Sequence, residues 1–231
     1  MQTKSKPVSN EMVTEGAPSS NSRRNFLFQA GSLSLASAVV FNACKKSSDS
    51  SNPYDLGSGD IGILNYAYAL EQLEAAFYIK VLSSPYSGMT AAEGSLLADI
   101  RDHEIAHREF FKNAIGSSAI AELTVNFSTI DFTSRTSVLA TAKAFEDLGV
   151  SAYNGAGQLI ADVNYLALAG KIVSVEARHA AYIRDLISNG SFADSTVIDA
   201  NGLDKSRTPG EVLAIAGAYI SSPIDASHLP S

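Results

Sequence analysis

The sequence predicts an all-α protein: a four-helix bundle of two helical hairpins joined by a long crossover, followed by a short C-terminal helix. Three observations predict it. Four long stretches carry apolar residues at spacings of three and four with polar residues opposite. The links between them run short, long, short. Each stretch also carries one acidic element at a matching place in its pattern.

The first helix is expected over about Asp60 to Leu82, with Asp60 as N-cap and Ser83-Ser84-Pro85 as its stop. The second begins after Thr90, with Glu93 three residues on as the partner in a capping box, and ends at about Ile115 before Gly116. The third runs from near Ser134 to about Ala156, and the fourth from about Ala161 to Ser188, closed by Asn189-Gly190. Between the second and third lies the stretch Gly116 to Thr133, with a β-leaning segment at Leu123 to Phe127. Extended chain covers about 3.3 Å per residue, so this stretch can run the length of a bundle. A last helix is expected over about Pro209 to Ile220, covering one end, and residues 223–231 form a tail.

What precedes the bundle has a different composition. Ser22-Arg23-Arg24-Asn25-Phe26-Leu27 sets an arginine pair before an apolar run, Phe26 to Phe41, that is short and serine-containing for a membrane span. Residues 1–43 therefore read as an export signal of the twin-arginine type. The run ends at Ala43-Cys44, and Cys44 is the only cysteine, which excludes an intrachain disulfide. Its position is that of a lipidated first residue after cleavage, and the alternative is a free signal-proximal thiol. Residues 44–59 are polar and Ser-rich and read as a tether. The expected location is exported, in a periplasm or anchored to its membrane through Cys44. The whole chain carries a net charge of −7, and about −9 without residues 1–43, which excludes a phosphate-tracking surface and so nucleic acid as partner. Self-association stays open.

The chemistry lies in the helices. His103-Glu104-Ile105-Ala106-His107 is a literal H-E-x-x-H, the zinc-protease signature. What recurs is shorter: Glu104-x-x-His107 in the second helix and Glu176-x-x-His179 in the fourth. Chance pairing of 11 Glu and 4 His gives about 0.2 such spacings in 231 residues, so two copies are not an effect of composition. Three positions apart, glutamate and histidine share a helical face. The first and third helices carry Glu71…Tyr78 and Glu146…Tyr153, each tyrosine seven residues after its glutamate. Glu74, one turn beyond Glu71, competes with it for the same role. Four glutamates and two histidines pointing inward supply what two divalent cations require, anionic oxygens between them and nitrogens at the ends. The protease reading leaves Glu71, Glu146, Glu176 and His179 without a purpose, and no strand-rich segment frames a substrate cleft. His103 is rotated about 100° from Glu104 around the helix. It is expected to point away from the site, as a surface or interhelix histidine paired with Asp99 or Asp102. His228 is expected to be solvated.

These residues carry a resemblance. The phrases LEQLEAAFY (70–78), DHEIAHREFF (102–111), FEDLGVSAYNGAG (145–157), SVEARHAAYIR (174–184) and TPGEVLAIAGAYI (208–220) are similar to the ferritin-like superfamily. More narrowly, they resemble exported ferritin-like domain proteins related to desiccation-associated proteins. The resemblance spans roughly residues 60–222. It implies Glu71 and Glu146 as terminal carboxylates, Glu104 and Glu176 as bridging carboxylates, and His107 and His179 as imidazole ligands. Tyr78 and Tyr153 would hydrogen-bond a ligand carboxylate across the bundle, or else serve as ordinary core tyrosines. The implied cofactor is two Fe ions, alternatively two Mn, because the same O/N donors suit both. The implied activity is redox chemistry with dioxygen or hydrogen peroxide. Dimanganese peroxide dismutation, a non-enzymatic desiccation or stress role, and cage-type iron storage are the other readings.

Overall fold

The computed structural model describes residue 52 and residues 54–230; residues 1–43, expected to be an export signal, and Cys44 lie outside them. Four long helices form two antiparallel hairpins: α1 (Gly59–Ser83) with α2 (Ala91–Ile115), and α3 (Arg135–Gly157) with α4 (Val163–Ile187). The hairpins dock through α1 against α3, and a short α5 (Pro209–Ala216) packs on α3. The four-helix bundle with its crossover and C-terminal helix is therefore the architecture, and no strand occurs among the described residues.

The helices do unequal work. In α1, seventeen of 25 residues are buried, on every side of the helix, which makes it the central element. By contrast α4 buries only Ile172, Glu176, His179, Ala180, Ile183 and Arg184. Half of its buried residues are therefore polar or ionisable.

Local chemistry sets the ends. The Thr90 hydroxyl accepts from the Glu93 N–H (3.1 Å) while the Thr90 N–H donates to Glu93 Oε2 (3.0 Å), closing the expected capping box. Glu93 Oε1 also accepts from Arg135 Nε at 2.7 Å, tying the start of α2 to the start of α3. Gly116, with φ +64°, ends α2 in the left-handed region that glycine adopts without penalty. Asp60 is not a cap. Ser58 holds that position, and the Asp60 carboxylate accepts from the Ala161 and Asp162 N–H groups (2.7 and 2.8 Å) at the entrance to α4. There Asp162 caps the helix by accepting from Asn164 N–H, so α4 starts two residues later than the sequence suggests.

The β-leaning segment of the crossover forms no strand. Val125 makes one antiparallel bridge with Ile220, flanked by Asn126 N–H to Tyr219 O and Ser221 N–H to Thr124 O, both 2.8 Å. Two carboxamides of α1 pin this crossover from inside. Asn65 accepts from Ile120 N–H (3.0 Å) and donates to Ser118 O (2.9 Å) and Leu56 O (3.1 Å), while Gln72 accepts from Leu123 N–H (2.7 Å). Residues 54–56, the end of the expected tether, are part of the fold: Leu56 is fully buried and bonds through its N–H to Asp225 O. The tail is likewise docked. Helix α5 is shorter than expected because its last turn tightens into a 3₁₀ turn, Gly217–Tyr219.

Behind the site, Arg184 is only 1% exposed and forks onto Asp147 (Nε to Oδ1 2.7 Å, Nη2 to Oδ2 2.8 Å). Its Nη2 also donates to Thr196 Oγ1, fastening the loop after α4 to the bundle. At Gly155 a Cβ would lie 1.7 Å from Arg207 O, so only glycine lets the segment entering α5 cross α3.

Candidate metal centre

Each helix of the bundle delivers its acidic element to one place in the interior. Glu71, Glu104, Glu146 and Glu176 are all 0% exposed and His179 is 4% exposed. Around His107 Nδ1 lie Glu176 Oε1 (2.8 Å), Glu71 Oε2 (3.5 Å) and Glu104 Oε2 (3.7 Å). Around His179 Nδ1 lie Glu104 Oε1 (2.8 Å), Glu146 Oε2 (3.5 Å) and Glu176 Oε2 (3.5 Å). The two sets are related by exchange of the hairpins. Glu104 and Glu176 give one oxygen to each, while Glu71 and Glu146 each serve one set.

Whether this fits cations is decided by which atoms lack partners. Among the described residues, the buried side-chain atoms without a hydrogen bond include Glu71 Oε2, both oxygens of Glu104, His107 Nδ1, Glu146 Oε2, both oxygens of Glu176 and His179 Nδ1. The imidazole-to-carboxylate contacts are short, yet none has the alignment of a hydrogen bond. Those eight atoms divide into two sets of one nitrogen and three oxygens, each set within 4.8 Å. Donors about 2.1 Å from a common centre lie about 3.0–3.4 Å apart along the edges of an octahedron or tetrahedron. The observed spacings bracket that range. Four carboxylates withdrawn from water need compensating positive charge, and two cations would supply it.

The oxygens turned away from the cluster are held by tyrosines. Tyr78 of α1 donates to Glu146 Oε1 on α3, and Tyr153 of α3 donates to Glu71 Oε1 on α1. Burial, and then the charge of the glutamate each one faces, push both phenols well above the ordinary tyrosine range. They keep their protons and remain donors, leaving one oxygen of each terminal carboxylate facing inward. Burial opposes charge on His107 and His179, but the surrounding carboxylates outweigh it and draw both imidazoles upward.

Glu74 occupies a separate position. It belongs to neither set, although it is 4% exposed. Its Oε1 lies 3.0 Å from where a Cβ on Gly149 would sit, in the space that glycine leaves open. Burial, and then repulsion from Glu104, Glu176, Glu146 and Glu71, lift it well above the usual carboxylate range. Of the competing pair it is Glu71 that reaches the cluster.

His103 does not point away. Its Nδ1 lies 2.9 Å from His179 Nε2, and neither Asp99 nor Asp102 bonds to it. Asp102 instead pairs with Arg101 (2.8 Å). The His103 imidazole of α2 reaches across to α4. The sequence held a signal for it, since one E-x-x-H copy is preceded by histidine and the other by Val175. His103 joins neither donor set, which removes the geometry a zinc protease needs. His228 is exposed, 3.5 Å from Asp55.

An all-α bundle with a buried carboxylate and imidazole cluster contributed by all four helices defines the class: a helical bundle able to hold a pair of cations in its core. The family model described as ferritin-like domain matches residues 59–189, more than half the chain, and the protein belongs to that family. No curated protein matches the chain.

Proposed function

We propose that this protein is an exported dimetal oxidase of the ferritin-like family, holding two iron ions and reacting with dioxygen or hydrogen peroxide. One observation carries the reading: eight unpartnered donor atoms divided into two equal sets that share Glu104 and Glu176. In it, Glu71, Glu104, His107 and Glu176 hold one ion, and Glu146, Glu104, Glu176 and His179 the other. Such a pair, when bound, supplies two-electron reduction of an oxygen species in one place. The protein's part is to fix the donors. Tyr78 and Tyr153 lock the rotamers of Glu146 and Glu71, the bridging glutamates set the spacing, and complete burial of the carboxylates keeps bulk water away.

Metal analysis of protein purified without oxygen tests the site, with about two ions per chain expected. Ferrous oxidation should fall to background in Glu104→Ala and Glu176→Ala, and wild-type rates in either variant would reject these residues as ligands. Manganese instead of iron, together with oxygen evolution from peroxide, would move the assignment to a dismutase; metal without turnover would move it to a stress-related binding role. The arginine pair and Cys44 support export and lipid anchoring, a proposal that fails if Cys44→Ser leaves the protein in the membrane fraction.

A further inference from the structure

The two halves of the centre correspond position by position, Glu71 with Glu146, Tyr78 with Tyr153, Glu104 with Glu176 and His107 with His179. The correspondence breaks at the residue before each shared glutamate, which is His103 in α2 and Val175 in α4. The contact from His103 Nδ1 to His179 Nε2 is 2.9 Å, with the rings 7° from parallel and their centroids 5.2 Å apart. That separation is the length of the contact plus half a ring at either end, so the imidazoles meet edge to edge in one plane. This is a hydrogen bond and not a face-to-face stack.

The direction of the bond follows from what each nitrogen must do. His179 Nδ1 faces three carboxylate oxygens and serves a cation only with its lone pair free, so the ring proton sits on Nε2. From there it is donated to His103 Nδ1, which accepts. His107 has no such support. Val175 offers neither donor nor acceptor, and no protein group among the described residues bonds to His107 Nε2, on a side chain that keeps 13% of its surface exposed.

We infer that His103 is a positioning residue that makes the two metal positions unequal, so that the one built on His179 and Glu146 fills first and more tightly. This rests on the dimetal reading of the cluster. A partner that accepts the outer N–H of a ligating histidine fixes its tautomer and ring angle and raises its basicity. Loss of such a partner weakens metal binding about 10–100-fold. His103 gives this support to one half and Val175 withholds it from the other, although the eight inner donors are matched.

Titration of the apo full-length chain with Co(II), followed by its visible absorption and by calorimetry, separates the outcomes. Wild type should take up two ions in two resolved phases. In His103→Ala the tighter phase should weaken about 10–100-fold toward the other, leaving the weaker phase in place. In His103→Asn, whose side-chain oxygen can accept near the position of Nδ1, the separation should return. Val175→His should tighten the weaker phase. Two ions bound with equal affinity in wild type, or an inequality that His103→Ala leaves unchanged, would overturn the inference while the dimetal reading stands. A wild-type chain that takes up fewer than two ions overturns both.

Discussion

At the scale of single residues, the assignment of Glu71 over Glu74 is a matter of which way each carboxylate is capped. Glu71 has one oxygen bonded by Tyr153 and the other unpartnered and facing His107. Glu74 lies against Gly149 outside both donor sets. Glu74→Gln should therefore still bind two ions per chain, whereas Glu71→Gln should lose one or bind it at least tenfold more weakly, as equilibrium dialysis with Co(II) would measure. The reverse pattern would exchange their roles. Sequence spacing pointed to Glu71 because only it repeats the seven-residue interval of Glu146 and Tyr153. That interval places residues on one face but says nothing of whether a buried carboxylate finds room. The room for Glu74 comes from Gly149, whose importance is visible only when two helices are laid together. The contact of His103 is hidden for a related reason: angular position on a helix describes where a side chain departs, and a long imidazole can end elsewhere.

Among the elements, α2 carries its own start signal, legible in Thr90-x-x-Glu93 and present in the fold. Removing the hydroxyl with Thr90→Ala should cost about 1 kcal/mol of unfolding free energy. The pH dependence follows from Glu93, whose carboxyl is held below the usual range first by the Thr90 backbone N–H, with further help from Arg135. A carboxyl whose pKa is depressed on folding stabilises above its unfolded pKa, and the contribution is lost as pH falls through the folded value. The destabilisation of Glu93→Gln relative to wild type, read from urea midpoints, should thus be present at neutral pH and shrink as the pH is lowered through and below the ordinary glutamate range. A gap constant with pH would sever the link to ionisation. The crossover was less legible. Val125 and its neighbours have strand propensity, but their donors are taken by Gln72, Asn65 and a single bridge to Ile220, and β propensity without a sheet partner produces no strand.

For the whole molecule, the bundle and its site are one problem of stability. Helix α4 buries only three apolar side chains beside Glu176, His179 and Arg184, with Tyr165, Ala169, Val173 and Leu186 packed at the edge of the core, so cations in the cluster would add to what holds the hairpins together. Binding at a free concentration 100-fold above Kd adds about 2.7 kcal/mol. At this chain length each kcal/mol moves Tm by roughly 2–4 °C, so loading with Co(II) should raise Tm by about 5–10 °C and chelation should reverse it. An unchanged melting curve would show that α4 docks without help. Because Glu104 and Glu176 each reach into the opposite set, neither hairpin owns a complete donor set. A chain nicked in the crossover would yield two complementary fragments, each unable to finish a sphere alone, and their reunion would be driven by the ions themselves.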